Sequence, residues 1–189
     1  FRRRIRGLTL PNSLEIIENE AFFGCTGLVS LSIPESVKKI GRRAFCACLS
    51  LKSVTIADSV SEIGVACFEG CPLQNVTLPK SLTTISDKLF RSSSVSTVVI
   101  PDSVTEINEG AFENCTKLQS VVFPESLTLI GEDAFKCCEA LTDVVFPKSL
   151  RKIDSSAFSE CKALKTVTFS TGMKTIHESA FESRFDENP

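Results

Sequence analysis

Nine cysteines and a single histidine are the residues through which this 189-residue chain could do chemistry. A cysteine zinc site asks for a close C-x-x-C pair joined to a second pair or to histidine. The chain contains no C-x-x-C. Six of the cysteines, Cys25, Cys48, Cys71, Cys115, Cys138 and Cys161, recur at one position of a repeat. In that setting free cysteine acts as a small buried hydrophobe with a weak thiol donor. The column thiols are expected to be mostly reduced, since parallel side-chain directions suit disulfide geometry poorly. Cys46, Cys67 and Cys137 lie outside the column, and Cys137-Cys138 is a vicinal pair. His177 stands in a column held elsewhere by Gly41, Gly64 and Gly131. No residue pattern marks a nucleophile for it to serve or a group to orient it. The three glycines read as turn residues of the repeat, not as a phosphate cradle. The sequence therefore offers no catalytic residue, no metal ligands and no cofactor site, and the chain is not expected to be an enzyme.

Charge narrows the partners. The net charge is -2, so the whole molecule has no general attraction for nucleic acid or acidic membranes. The distribution is uneven: residues 1–52 hold 9 Lys/Arg against 4 Asp/Glu, and residues 53–189 hold 12 against 19. Two basic stretches, Arg2-Arg3-Arg4-Ile5-Arg6 and Lys38-Lys39-Ile40-Gly41-Arg42-Arg43, stand out. With no exposed aromatic residue evident for base stacking, they read as solvated faces and no nucleic-acid partner is expected. No apolar run approaches the roughly 20 residues of a membrane-spanning helix, so no membrane insertion is expected. Asn75-Val76-Thr77 and Asn114-Cys115-Thr116 fit the glycosylation sequon, a pattern loose enough to match by chance. The chain opens on Phe1 without an initiator methionine or a signal peptide, and it reads as a piece of a longer protein.

The elements that position these residues repeat. Phe22, Phe45, Phe68, Phe90, Phe112, Phe135, Phe158 and Phe181 are spaced 23, 23, 22, 22, 23, 23 and 23 apart. Eleven residues before each marker stands Pro11, Pro34, Ala57, Pro79, Pro101, Pro124, Pro147 or Ser170; five before it stands isoleucine every time. After the cysteine column comes a segment such as Leu51-Lys52-Ser53-Val54-Thr55-Ile56, whose alternation is that of a half-buried strand. One unit cannot bury a core alone, but stacked units set like on like in continuous ladders, with parallel strands about 4.8 Å apart. Good helix formers around each marker, as in Gly131-Glu132-Asp133-Ala134-Phe135, predict a short helical or 3₁₀ segment there. Both 22-residue spacings flank Phe90; a residue is missing between Cys71 and Leu73 and again between Ser93 and Val95. A local irregularity of the outer layer is expected there, with the strands unbroken.

The pattern L-x-x-V-x-I-P-x-S-V-x-x-I-G-x-x-A-F-x-x-C closely resembles the BspA-like, or treponemal-type, leucine-rich repeat. Leu28 through Cys48 is the clearest copy, Leu118 through Cys138 is nearly as good, and the resemblance covers essentially the whole chain. It implies one α/β-type solenoid over residues 1–189, of about eight repeats. The expected form is a leucine-rich-repeat arc with a parallel sheet on its concave face and short helical or 3₁₀ turns outside. It also implies proteins often displayed on microbial surfaces, some of them adhesins, and hence a surface or secreted location. Because fold does not fix function, that last step is analogy.

The leading functional expectation is a protein-binding module, and the alternative is a spacer that only projects another domain. If the first, fourth and sixth residues of L-x-x-V-x-I face inward, the third and fifth face out on the concave side. The fifth positions read Thr9, Ser32, Thr55, Thr77, Val99, Val122, Val145 and Thr168. Val99, Val122 and Val145 would form an apolar stripe rimmed by Thr97, Ser120 and Asp143, a candidate centre of a binding surface. The bland explanation is strand propensity, because Val and Thr are nearly isosteric and both suit strands. Uncapped repeat ends would also expose apolar columns and edge strands, which invites end-to-end self-association.

Overall fold

The computed structural model describes residues 5–183. Arg2, Arg3, Arg4 and the Arg184 position of the cysteine column lie outside them. Short and long strands alternate along the chain. They are β1 (Ile16–Ile17), β2 (Ser30–Ile33), β3 (Lys39–Ile40), β4 (Ser53–Ile56) and β5 (Glu62–Ile63). Next come β6 (Asn75–Thr77), β7 (Thr84–Ile85), β8 (Thr97–Val99), β9 (Glu106–Ile107) and β10 (Ser120–Val122). The series ends with β11 (Leu129–Ile130), β12 (Asp143–Val145), β13 (Lys152–Ile153), β14 (Thr166–Thr168) and β15 (Thr175–Ile176). A coil runs from a short strand through an outer turn to the next long strand. Seven such coils stack, and every paired strand is parallel to its neighbour.

The core is the set of repeat columns. Leu28, Leu31 and Ile33 of one strand segment are buried while Ser30 and Ser32 between them are exposed, as alternation across a pleated strand requires. The eight marker phenylalanines form one continuous stack with ring centroids 5.1–6.0 Å apart. The middle six are fully buried and Phe22 and Phe181 at the ends are partly so. Each such ring brings a large apolar area and a favourable neighbour contact of about 0.5–1.5 kcal/mol.

The outer layer contains no helix among the described residues, which corrects the expected helical or 3₁₀ turns. The cause lies in how its amides are shared. Ala21, Phe23 and Cys25 donate to the carbonyls three residues back, Glu18, Glu20 and Phe22. The amides between them turn outward along the solenoid: Glu20 to Arg42, Phe22 to Ala44 and Gly24 to Cys46, at 2.8–2.9 Å. Turning alternate amides away demands a left-handed residue two before and two after each marker Phe from Phe22 to Phe158. Positions such as Glu20, Arg43, Lys88 and Asp133, and Ala47, Ser92, Asn114 and Glu160, have φ between 53° and 60°. A continuous helix would require all amides to point along one axis, so helix-forming residue types lose to bonding between coils.

The strand layers depart from expectation in the opposite direction. The long strands pair as β2-β4-β6, β8-β10 and β12-β14, and the short ones as β1-β3-β5 and β7-β9-β11-β13-β15. The ladder is therefore interrupted between β6 and β8, between β10 and β12, and between β5 and β7. The expected irregularity of the outer layer is present: the turn that follows the cysteine position in the other coils is missing at 71–74 and 93–96, and Leu73 N bonds to Cys71 O, two residues back, where Leu51 N and Leu118 N bond three back. The expectation of unbroken strands is corrected, because the ladder opens at three places.

Candidate functional site

All six predicted face residues, Thr97, Val99, Ser120, Val122, Asp143 and Val145, are exposed on the long-strand face. Val99, Val122 and Val145 are 67%, 58% and 66% exposed. Val99 and Val122 face each other directly in the β8–β10 ladder, as do Thr97 and Ser120. Val145 and Asp143 pair instead with Thr168 and Thr166 across β12–β14. Hydrogen bonds from Thr142 and Thr166 hold the Asp143 carboxyl below the usual aspartate range, so the rim carries a fixed negative charge.

The interrupted ladders give this face relief. At the β6/β8 break a cleft of about 480 Å³ opens, lined by Val76, Leu78, Val99 and Ile100 with Lys80 and Asp102 at its edge. At the β10/β12 break a second, of about 300 Å³, is lined by Val122, Phe123, Val145 and Phe146 with Glu125 beside it. Each exposed valine thus borders a cleft, and the β8–β10 pair stands between the two. Phe123 and Phe146 were missed as lining groups. Their signal was a column change: Ile33, Ile56, Leu78 and Ile100 give way to Phe123, Phe146 and Phe169. These rings meet the main stack edge-on, with Phe123 5.8 Å from Phe135 and Phe169 6.1 Å from Phe181.

The sequence profile of the BspA-type leucine-rich-repeat region matches residues 2–109 and 83–186, in six copies. The chain belongs to the BspA-type leucine-rich-repeat family. Among solved structures this leucine-rich-repeat chain is similar to the leucine-rich-repeat protein of T. pallidum. The two share 32% identity over 82% of this chain and 76% of that one, with a TM-score of 0.77. It also aligns with a leucine-rich-repeat protein from Eubacterium ventriosum, at 17% identity over 93% of this chain and 82% of that one, with a TM-score of 0.45. A further alignment is to the pneumococcal vaccine antigen PcpA, at 17% identity over 92% and 61% of the two chains, with a TM-score of 0.46. No curated protein matches the chain. Proteins of this repeat family are generally interaction modules without enzymatic activity.

The cysteines of the leucine-rich repeat are structural in geometry. All nine are free thiols, and eight of them are buried. In the column, Cys48, Cys71, Cys115, Cys138 and Cys161 each donate to the carbonyl of a marker Phe in the preceding coil, at 3.1–3.3 Å. Ser93 keeps the column polar where cysteine is absent and lies 3.4 Å from Cys115 Sγ. Burial pushes the Cys115 thiol up to about 11 and the Cys161 thiol up to about 12, and holds Cys138 well above the ordinary range. Neutral buried thiols of this kind are poor nucleophiles and poor metal ligands.

His177 and Ser179 come together at 2.9 Å, superficially a base and a nucleophile. The Ser179 backbone N–H also donates to His177 Nδ1, and the Ser179 hydroxyl accepts from the Ser156 amide. Both groups therefore serve as turn caps. The basic stretch Lys38–Arg43 is answered by neighbouring coils: Lys39 meets Glu62 at 2.8 Å and Arg43 meets Glu20 at 3.5 Å. Arg43 also stacks over Phe23, 4.7 Å from the ring centre. Of the sequon residues, Asn75 lies exposed on the long-strand face, while the Asn114 amide donates to Glu113 at 3.3 Å. No helix among the described residues is long and apolar enough to cross a membrane.

Proposed function

We propose that the chain binds a protein partner through its long-strand face, with Val99, Val122 and Val145 at the centre and Thr97, Ser120 and Asp143 as the polar rim. The observation that carries this reading is the valine column: three consecutive long strands each present an apolar side chain to solvent where the other described coils present Ser or Thr. Apolar surface framed by polar groups gains free energy when a partner removes it from water, and the polar frame limits indiscriminate association. The two adjoining clefts supply recesses that could take a partner's side chains.

The test is the triple substitution Val99→Thr, Val122→Thr and Val145→Thr, which keeps strand propensity and shape while removing apolar surface. A partner recovered by the wild-type chain should bind the triple variant about tenfold or more weakly. Unchanged affinity would move the site elsewhere, and failure to recover any partner from relevant extracts would favour the spacer. Surface display and adhesion are proposals that rest on the family alone; a leader or anchor in the full reading frame would support them. End-to-end association between solenoids is a further proposal for this chain. Sedimentation over a concentration series tests it, and a monomer at every concentration would refute it.

A further inference from the structure

One junction of the solenoid is built unlike the other described junctions. Between the third coil (β5, Phe68, β6) and the fourth (β7, Phe90, β8), neither strand layer is paired. The bonds from Gln74 N to Lys52 O and from Gln119 N to Ser96 O have no counterpart from Ser96 to Gln74. On the short-strand side, Gly64 N reaches Ile40 O and Asn108 N reaches Ile85 O, but Ile63 O receives only the Ser86 hydroxyl. At the β10/β12 break, by contrast, the short strands β9, β11 and β13 remain joined.

Two backbone attachments hold the junction, with the Ser86 hydroxyl on Ile63 O and the Arg91–Glu69 ion pair as the side-chain links across it. The outer turns stay bonded, Ala66 N to Asp87 O, Phe68 N to Leu89 O and Gly70 N to Arg91 O, at 2.8–3.1 Å. The covalent crossing, residues 78–83, sits between β6 and β7 and therefore between the two open strand layers. The Phe68–Phe90 contact is the widest in the aromatic stack, at 6.0 Å. Both coils here carry the shortened connection after the cysteine position, Cys71-Pro72-Leu73 and Ser93-Ser94-Val95.

We propose that this junction is a hinge. Coils 1–3 and coils 4–7 move as two blocks about an axis running from the bonded outer turns to the exit turn 78–83. With the wall held at those two places, the blocks can only rock. As the long-strand side widens, the short-strand side closes, and the cleft between Leu78 and Ile100 changes volume. Rotation here breaks no ladder bond, whereas bending at a fully paired junction must break several, and hinge motion follows the least costly path. The rocking alters the angle between the polar strands β2–β6 and the valine-bearing strands β8–β12. The inference stands independently of the binding reading.

Distance distributions between pairs of spin labels test it in the full chain, with Cys137→Ser removing the most accessible native thiol. The pair Ser30→Cys and Thr166→Cys spans the junction over six strand spacings, about 29 Å; Thr97→Cys and Thr166→Cys stays within the second block over three. The spanning pair should give a distribution at least about twice as broad as the internal pair. Equal widths, whether both narrow or both broad, would overturn the hinge. Hydrogen exchange supplies a second readout without substitutions. The Ser96 and Thr83 amides should exchange on the order of 100-fold faster than their counterparts Gln119 and Thr105. Equal protection would mean the ladder is closed in solution and would refute the proposal.

Discussion

The outer turns and the long strands of this solenoid carry the same repeat but are joined in different ways. In the turn layer, backbone bonds link every successive pair of described coils, from Phe22 with Ala44 to Phe158 with Ala180. In the long-strand layer the ladder is complete at four junctions and open at two. The turn layer also holds the Phe stack and the thiols that cap the Phe carbonyls. Continuity of the solenoid therefore resides in the buried columns and the turns bonded to them. The strand face is correspondingly free to vary, both in side chains and in pairing.

Removing a ring from the stack should have the largest effect. Phe112→Ala should cost about 3–5 kcal/mol in chemical denaturation, the usual range for deleting a fully buried aromatic ring. A loss below about 1 kcal/mol would mean that the strands, not the stack, hold the coils together. Alkaline pH should act next. The folded Cys115 and Cys161 thiols titrate above the unfolded value of about 8.5. The unfolded chain therefore loses these protons first. Their contribution is fully present below about pH 8.5 and lost as pH rises toward the folded values. For Cys115 the loss is about 2–3 kcal/mol by pH 11. Urea midpoints from pH 7 to 10.5 should fall, and replacing Cys115 by Ala should flatten the slope. A flat profile in the parent protein would show that the turn layer is wetter than described.

Gly64 tests the approach between coils where turn and short strand meet. A Cβ there would stand 2.5 Å from the Arg42 amide nitrogen, with backbone rather than a flexible side chain in the way. Gly64→Ala should cost about 1–3 kcal/mol through forced displacement of the coils. A neutral result would show that this junction yields as readily as its neighbour. The smallest effect belongs to the strand face. Val99→Thr, Val122→Thr and Val145→Thr together should change stability by less than about 1 kcal/mol, as exposed substitutions usually do. A loss comparable with that of Phe112→Ala would erase the distinction between the layers.

Much of the fold was legible because it is periodic. Spacing alone placed the eight marker phenylalanines in one stack, and alternation alone put Ser30 and Ser32 outside while Leu31 and Ile33 went inside. The six face residues were assigned the same way and are all exposed. The outer turns were misread because Glu and Ala favour helix locally. Alternate amides instead bond to the next coil, to partners 21 or 22 residues away that no local window contains. The Phe123, Phe146 and Phe169 column was visible as residue types, but its edge-on packing against the main stack was not.

The amino-acid sequence by itself determined the repeat, the buried columns and which side chains face outward, because a strand's two-residue period and a 23-residue register leave few ways to bury this much apolar surface. Only the tertiary structure decided where coils pair and where they part. Pairing depends on the small offsets of neighbouring coils, and those offsets exist only once the coils are stacked.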